Sequence, residues 1–287
     1  MRDLNYQLKA LCRRNRDGSF GTQRERERVL TLIADQLHAL GYRGIRANSL
    51  KAKHVEALVK HWQSASLSVG TIKNRLAMLR WWAGKVDRRT VVARDNAHYG
   101  IPDRQFIGQG SKAKDLSPTD LDKVRDPHVR MSLELQRAFG LRREEAIKFR
   151  PDYADRGDSL VLKSTWTKGG RAREIPIRTE AQRALLNRAH RLAGKGSFIP
   201  ADRNYRQQLR IYERHTGAAG LSRLHGLRHT YAQQRYQELT GWASPAAGGP
   251  AVAELSEVQR QIDLDVRQTI SRELGHERLS ILVVYLG

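Results

Sequence analysis

Residues 274–287 read LGHERLSILVVYLG, and in this stretch His276 lies nine residues before Tyr285. At about 100° per residue, nine steps along one continuous helix place two side chains on opposite sides. The two groups can therefore meet only if the chain turns between them. The polar ERLS stretch predicts such a break, which would put Tyr285 on a short segment of its own, and chain ends otherwise tend to fray.

The whole chain is strongly basic. Its 287 residues include 52 Lys and Arg against 30 Asp and Glu, a net charge of +22. Residues 1–110 carry 21 basic and 9 acidic groups, and the remainder carries 31 and 21, so both halves are basic. A polyanion contacted by both halves, most simply nucleic acid, accounts for this balance. A basic surface that serves only solubility is the alternative.

Several protein classes are disfavoured by composition. The opening MRDLNYQLKALCRRNRDG has no apolar signal-peptide core, and no apolar run approaches the ~18 residues of a membrane span. We therefore expect a cytoplasmic, nucleoid-associated protein without a membrane partner. Cys12 is the single cysteine of the sequence, which excludes an internal disulfide and a cysteine-based metal site.

Apolar residues at helical spacing predict a helical bundle over residues 1–98. Thr22 is a candidate N-cap and Gly41 a candidate stop for the first long helix. The apolar positions of the three patterns are Leu30, Ile33, Leu37 and Leu40, then Val55, Leu58, Val59 and Trp62, then Val69, Ile72, Leu76 and Leu79.

The polar faces of this bundle are rich in Arg and Lys. Lys73, Arg75 and Arg80 are candidate DNA contacts on its last helix. The adjacent Trp81–Trp82 pair is interpreted as core in preference to a base-stacking platform. A polar, glycine-containing stretch over 99–111 predicts a linker, and SPTD at 117–120 is a helix-start signal. The second domain is thus expected over 112–287.

The second domain contains an arginine–glutamate pair at helical spacing. In LQRAFGLRREEAIKF, Gly140 is expected to end one helix and Arg142 to begin another. Glu145 follows three residues later on the same face, where its carboxylate can orient the guanidinium. Alone this is a weak signal, because most such pairs are surface salt bridges.

A β-hairpin is predicted from LVLKSTWTKGGRAREIPI. Two β-prone runs flank Gly169–Gly170, a pair suited to a tight turn. Lys168 would lie at the lip of this turn, and Arg171 and Arg173 on the return strand are candidate DNA contacts. The alternative is a solvated loop lysine.

His225 and Arg228, in LSRLHGLRHTYAQQRY, share one helix face. The spacing from His225 to His229 also matches the two-histidine helix of zinc proteases. However, Gly226 occupies the position of the required glutamate, and Arg228 would repel a cation. An imidazole beside a guanidinium suits an anion better, since both can donate to phosphate oxygens.

Together these stretches resemble the catalytic domain of the tyrosine recombinase (phage integrase) family. Each piece is common, but all five in this order and spacing are specific. The resemblance covers about residues 112–287, and residues 1–98 resemble the family's DNA-clamping core-binding domain only in position, size, charge and helical character. The matching positions are Gly140-Leu141-Arg142 with Glu145, Lys168, His225 with Arg228, Leu274-Gly275-His276, and Tyr285.

The resemblance implies a mainly α fold with a small β-sheet: an N-terminal helical domain and a C-terminal mixed α/β catalytic domain. It implies that Tyr285 attacks a DNA phosphodiester to give a 3′-phosphotyrosyl intermediate. Arg142 and Arg228 would clamp the phosphate, and His276 would add a donor. Lys168 would protonate the leaving oxygen, and His225 would assist proton transfer. With these donors around one phosphate, neither a metal nor another cofactor is expected.

The implied activity is site-specific recombination that integrates or excises a mobile element. The implied partners are double-stranded DNA, a homo-tetramer on paired sites, and accessory DNA-bending or directionality proteins. A strand-passage or end-resolving enzyme of the same chemistry and an inactive DNA-binding relative are the alternatives. One departure from the family is the long interval between Arg228 and His276, whose excess is expected within 238–262 as a surface loop or a subunit contact.

Overall fold

The computed structural model describes residues 3–104, 110–167, 169–276 and 278–287. The chain divides into two compact units, Met1–Gln105 and Phe106–Gly287. Helices predominate, and one two-stranded antiparallel sheet accompanies them, which confirms the predicted fold class. Among the described residues, no helix combines the length and the apolar character that crossing a bilayer requires.

The first unit is a helical bundle. Its α-helices are α1 (Asp3–Arg14), α2 (Phe20–Ala39), α3 (Ala52–Ser64) and α4 (Val69–Lys85). Most of the apolar positions predicted from helical spacing form its core, and Leu30, Leu58 and Leu79 are completely buried. Leu40 is an exception, because it is the C-cap of α2 and is 38% exposed, and Val69 is only partly buried against the core. The helix α2 begins earlier than predicted because Ser19, and not Thr22, is its N-cap: the Ser19 hydroxyl accepts a hydrogen bond from the Thr22 backbone nitrogen.

The two neighbouring tryptophans of α4 have different surroundings. Trp82 is completely buried and donates its indole N–H to the Ala47 carbonyl at 2.7 Å. Trp81 is half-buried, donates to the Asp17 carboxylate, and lies under the guanidinium of Arg26, 4.2 Å from the ring centroid. Core packing is thus confirmed for Trp82, and the indole of Trp81 is held by polar contacts inside the unit.

The second unit contains the remaining elements. Its first part comprises α5 (Pro118–Asp122), α6 (Pro127–Phe139), α7 (Arg143–Ile147), α8 (Pro151–Ala154), β1 (Ser159–Leu162) and β2 (Arg173–Pro176). Its second part comprises α9 (Glu180–Ala193), α10 (Tyr205–Ala218), α11 (Gly226–Thr240), α12 (Glu257–Leu274) and α13 (Val283–Leu286). As SPTD predicted, Ser117 caps α5, with its hydroxyl accepting from the Asp120 nitrogen.

The helix α11 is the centre of the second unit. It packs against α6, α12 and α13, and most of its first eleven residues are buried. Tyr231 and Tyr236 from α11 join the main core, and their hydroxyls donate to Glu273 and Asp263 of α12. Every group carried on the first turns of α11 is therefore held in a fixed position relative to three other helices.

The predicted hairpin forms, but its connection is longer than the tight turn expected at Gly169–Gly170. The strands pair antiparallel from Ser159 opposite Pro176 to Leu162 opposite Arg173, so residues 163–172 join them. A 3₁₀ turn over Ser164–Trp166 interrupts the first β-prone run, and the burial of Trp166 in the core explains the early end of β1. Lys168 lies outside the described residues.

The excess sequence within 238–262 is only partly a surface loop. α11 extends to Thr240 and α12 begins at Glu257, with a Ser256 cap. Between them Ser244 is fully buried, and a turn over Pro245–Ala247 packs against the end of α13. A Cβ at Gly287 would lie only 2.8 Å from the Ala246 nitrogen, so this stretch contacts the helix that carries Tyr285.

Gly140 ends α6 in a left-handed conformation, with φ 60°. A Cβ at this position would lie 2.6 Å from a ring carbon of Tyr231 in α11. Glycine is therefore required here both by the backbone and by the close approach of α11. This turn sets the direction in which the chain leaves α6 for Arg142.

We predict that Gly140→Ala destabilises the protein more than Gly157→Ala does. Gly157 also has a positive φ, 88°, but a Cβ there would meet no atom within 4 Å. Both variants bear the backbone strain of about 1 kcal/mol, and only Gly140→Ala adds overpacking, of about 1–3 kcal/mol. Urea unfolding of the two variants measures the difference, and equal free energies of unfolding would contradict the steric argument.

Candidate active site

Arg142 and Glu145 are joined by the cap of α7. Arg142 is the N-cap residue, and its backbone nitrogen donates to Glu145 Oε2 at 2.6 Å. The Arg142 guanidinium donates through Nη1 to Glu145 Oε1 at 2.8 Å. Glu145 is completely buried, whereas the Arg142 side chain is 20% exposed. The carboxylate therefore binds one side of the Arg142 guanidinium and leaves another part of it exposed to solvent.

Arg173 meets the same carboxylate from the hairpin. Its two terminal nitrogens donate to the two oxygens of Glu145 at 2.7 and 2.6 Å, and its side chain is buried. Burial alone would raise the pKa of Glu145, but hydrogen bonds and charge from Arg173, with the charges of Arg142 and Arg228, lower it to about 2. Glu145 is thus ionised at neutral pH.

Among the described residues, no carboxylate is hydrogen-bonded to the buried Arg228. It is 1% exposed, and its terminal nitrogens donate to the carbonyls of Gly140 and Leu274. Its Nε is buried and has no hydrogen-bond partner within the described part of the chain. Burial, followed by the charges of Arg142 and Arg173, lowers the pKa of Arg228 to about 10, so it remains protonated.

Among the residues that the structure describes, the charges in this cluster do not balance. Three guanidinium groups, from Arg142, Arg173 and Arg228, surround the carboxylate of Glu145, which offsets one of them. A buried charge is costly unless it is paired. The cluster therefore favours an additional anion, and the partly exposed Arg142 marks the side from which that anion can arrive.

Tyr285 lies beside this cluster. It is only 5% exposed and lies on α13, after the chain has turned through Gly275 and a 3₁₀ segment over Leu279–Leu282. The predicted break between His276 and Tyr285 is thus confirmed. The Tyr285 ring centroid lies 5.9 Å from the guanidinium carbon of Arg228.

Two of the predicted histidines flank the phenol. The Nε2 atom of His225 lies 3.3 Å from the Tyr285 hydroxyl, within hydrogen-bonding reach. The His276 ring centroid lies 5.4 Å from that of Tyr285, and its Nε2 lies 3.4 Å from a terminal nitrogen of Arg228. His225 occupies the N-cap position of α11, and Gly275, with φ 64°, turns the chain so that His276 faces inward.

Burial, reinforced by neighbouring cations, keeps both histidines neutral at pH 7. Burial and then the charges of Arg228 and Arg142 lower the pKa of His225. The same causes, with Arg173 in addition, lower the pKa of His276 to about 3. A neutral His225 has a ring nitrogen free to accept a proton, and a neutral His276 retains one N–H to donate.

His229 is a third histidine against the phenol. It is 3% exposed, and its ring centroid lies 4.4 Å from that of Tyr285. Burial, with the charges of His225, Lys112 and Arg228, lowers its pKa to about 4. The four-residue spacing that resembles a zinc pattern also places the rings of His225 and His229 on one helix face, and that face meets Tyr285.

The hairpin was predicted to carry one catalytic residue, Lys168, and two DNA contacts, Arg171 and Arg173. Lys168 lies outside the described residues. Arg171 is exposed on the connection between the strands. Arg173 is on β2 as predicted, but its guanidinium is buried against Glu145, so the structure does not support a groove contact for it.

The three candidates on α4 are engaged within the first unit. Lys73 pairs with Asp103 at 2.8 Å. The guanidinium of Arg75 lies 5.4 Å from the ring centroid of Trp62, and burial lowers its pKa. Arg80 donates to the loop that follows α4. These hydrogen bonds give Arg80 a role in holding the loop, and its DNA contact stays a prediction.

Two family sequence models match the chain. One is described as "Phage integrase, N-terminal" and matches residues 1–89; the other is described as "Integrase" and matches residues 108–234. Between them they cover most of the sequence. The chain belongs to the phage integrase family of tyrosine recombinases. No protein of curated function matches it.

Solved structures of tyrosine recombinases have a similar fold. A lambda integrase dimer bound to a COC′ core site aligns over 99% of this recombinase and 77% of that chain, with 14% identity and a TM-score of 0.62. XerH bound to palindromic difH aligns over 99% and 81%, with 17% identity and a TM-score of 0.58. The Tn1549 transposon integrase in complex with circular intermediate DNA aligns over 100% and 96%, with 13% identity and a TM-score of 0.55.

The "Integrase" match ends at residue 234, before His276 and Tyr285. The assignment of these two residues in the recombinase therefore rests on the sequence pattern and on the geometry. The five predicted catalytic residues that the structure describes lie in one cluster, at the starts of α7 and α11, on α11 and α13, and in the turn after α12.

We predict that Glu145→Gln destabilises the recombinase at pH 7 by about 3 kcal/mol, because it leaves a buried guanidinium without its counter-charge. The pKa of Glu145 is depressed from 4.5 to about 2. Its contribution is therefore complete above pH 4.5 and is lost as the pH falls from 4.5 toward 2. At about 1.4 kcal/mol per unit of pKa, the difference between the two pKa values also corresponds to about 3 kcal/mol.

Urea unfolding between pH 2 and pH 7 tests this expectation. Glu144→Gln is the matched control, since Glu144 is exposed and pairs with Lys148 on the surface. The wild type and Glu144→Gln should lose stability together in the acid range, and Glu145→Gln should show a flatter profile. A profile unchanged in Glu145→Gln would show that this carboxylate does not hold the cluster.

Proposed function

We propose that this recombinase cleaves and rejoins DNA at a specific site through a covalent link between Tyr285 and a 3′-phosphate. The observation that carries the proposal is the position of the Tyr285 hydroxyl, 3.3 Å from a neutral His225 and beside the unbalanced guanidinium cluster. A nucleophile, a proton acceptor and an anion site are thus adjacent.

The proposed cleavage step balances in atoms and charge. The Tyr285 oxygen attacks phosphorus and its proton passes to His225, while the bond from phosphorus to the 5′-oxygen breaks. Lys168 gives a proton to that leaving oxygen. The reverse reaction, by a 5′-hydroxyl of another strand, rejoins DNA without ATP because the phosphotyrosyl bond retains the energy of the broken ester.

Arg142, Arg228 and His276 would stabilise the transition state. Phosphoryl transfer places extra charge on the non-bridging oxygens, and fixed donors aimed at those oxygens lower the barrier. Arg228 is already desolvated and rigid, so little reorganisation is required when phosphate binds. These groups supply the charge stabilisation that metal ions provide in other phosphoryl-transfer enzymes.

Double-stranded DNA is the proposed substrate, and the net charge of +22 supports it. The lambda integrase and XerH structures contain DNA core or dif-type sites, and one lambda integrase structure is a tetramer on a Holliday junction. By analogy we propose a homo-tetramer on paired sites, with accessory DNA-bending or directionality proteins, acting at the nucleoid to integrate or excise a mobile element.

Tyr285→Phe should abolish covalent adduct formation, because it removes only the nucleophilic oxygen. A pool of nicked duplexes of randomised sequence, incubated with the protein in EDTA, is resolved on a denaturing gel for detergent-resistant protein–DNA adducts. Arg142→Ala should still bind DNA but form adduct about 10²–10³-fold more slowly. An adduct in Tyr285→Phe would refute the nucleophile, and an absolute need for magnesium would indicate another mechanism.

Lys168→Ala should slow cleavage of ordinary DNA about 10²–10⁴-fold, the range typical of general acids. The defect should largely disappear on a duplex with sulfur in place of the bridging 5′-oxygen, because a thiolate leaves without protonation. Single-turnover adduct formation on the two duplexes is the measurement. Arg171→Ala, three residues along the same connection, is the control, and a Lys168→Ala defect of equal size on both duplexes would exclude the acid role.

A further inference from the structure

Gln233 is a buried amide on α11 that contacts two separate parts of the second unit. It is 8% exposed. Its Nε2 donates to the backbone carbonyl of Tyr285 at 2.9 Å, and its Oε1 accepts from the Ser111 hydroxyl at 2.9 Å. A carbonyl can only accept, so the amide orientation is fixed by its partners. Gln233 is not needed for any step of the proposed chemistry.

The first contact is with residues 111–114, the segment that leads into α5. The Ser111 hydroxyl accepts from the Ala113 nitrogen at 3.0 Å, which directs its own proton toward Gln233. The Lys114 nitrogen donates to the Gly226 carbonyl, and the Thr230 hydroxyl donates to the Lys114 carbonyl at 2.6 Å. The 111–114 segment thus lies along the first turns of α11.

Gly226 makes this contact close. A Cβ at Gly226 would lie 2.7 Å from the Cβ of Lys114 and 2.8 Å from the Lys112 carbonyl oxygen. Lys112 is also near enough for its charge to help lower the pKa of His229, whose ring packs against Tyr285. The 111–114 segment therefore reaches the tyrosine site by backbone packing and by charge as well as through Gln233.

The second contact is with a short helix. α13 is four residues long, and the carbonyls of a last helical turn lack partners within the helix. Gln233 supplies the donor for Tyr285, and Arg267 supplies one for the Gly287 carbonyl at 3.1 Å. Removing the Gln233 donor leaves the backbone of the tyrosine itself less constrained.

We propose that Gln233 is a positioning residue that couples the position of Tyr285 to the position of the 111–114 segment. This inference rests on the proposed function, in which Tyr285 is the nucleophile. With Ser111 in place, the amide is fixed and holds the tyrosine backbone. When the segment moves away, the amide loses one anchor and holds the Tyr285 backbone less firmly. The segment begins where the expected linker 99–111 ends. A displacement of that linker would therefore be transmitted to the backbone of Tyr285 through Gln233.

Three variants test whether Gln233 forms a bridge between the 111–114 segment and Tyr285. Gln233→Met keeps the side-chain length and removes both hydrogen bonds, Ser111→Ala removes only the bond on the 111–114 side, and the double variant combines them. Gln234→Met is the matched control, because Gln234 is the next residue of α11 and is exposed. The substrate is a nicked duplex selected in the adduct assay above, and each protein is compared at a temperature at which thermal melting shows it folded.

Cleavage, and not DNA binding, should change. We expect Gln233→Met to form adduct about tenfold more slowly at saturating DNA, equivalent to about 1.4 kcal/mol, with an unchanged Kd because Gln233 is buried. Ser111→Ala should be about threefold slower, within the range of one lost hydrogen bond. The double variant should match Gln233→Met. The Gln233→Met defect should persist on the 5′-sulfur duplex, since a misplaced nucleophile is not corrected by a better leaving group.

Each of the following results would contradict the proposal or the function on which it rests. If Gln233→Met cleaves as fast as the wild type and Gln234→Met, Gln233 does not position the tyrosine. If Ser111→Ala slows cleavage further in the Gln233→Met background, the two residues act independently and the bridge is refuted. If binding and cleavage fall together, the role is only structural. Absence of adduct from the wild type would instead overturn the proposed function itself.

Discussion

The buried carboxylate of Glu145 is the interaction on which the site depends. It accepts hydrogen bonds from the backbone of Arg142, from its guanidinium, and from both terminal nitrogens of Arg173. Without it, positive groups from a helix cap, a strand and the central helix could not be held together out of water. With it, one charge is neutralised and the others remain available. The same contact that assembles the described cluster also leaves it with more positive than negative charge, which a phosphodiester would offset.

The fold then controls where the unbalanced charge points. Arg228 donates to the carbonyls of Gly140 and Leu274, which end α6 and α12. Both helices end because a left-handed glycine follows, so the carbonyls are turned toward the guanidinium instead of continuing the helical hydrogen bonds. The arginine thereby joins two helix ends to α11 in a single contact. The Arg228 guanidinium is therefore held in place by backbone carbonyls.

Much of this arrangement could be predicted from the sequence, because it depends on local patterns. The glycine before Arg142, the break before Tyr285 and the shared face of His225 and Arg228 follow from helical periodicity and stop signals. The role of Arg173 could not be predicted, since an alternating strand does not reveal which face meets a buried carboxylate 28 residues earlier. The long hairpin connection was missed for a similar reason: only the tertiary burial of Trp166 ends β1 early.

The close approach of glycines to neighbouring elements affects how genetic data on this recombinase would be interpreted. A side chain at Gly226 would collide with the 111–114 segment, and one at Gly275 would lie 2.8 Å from the Arg173 side chain. Neither glycine carries a reactive group. A random mutagenesis screen scored for recombination would nevertheless place both among the apparent catalytic positions, and phenotype alone would not separate the residues that perform chemistry from those that make room for it.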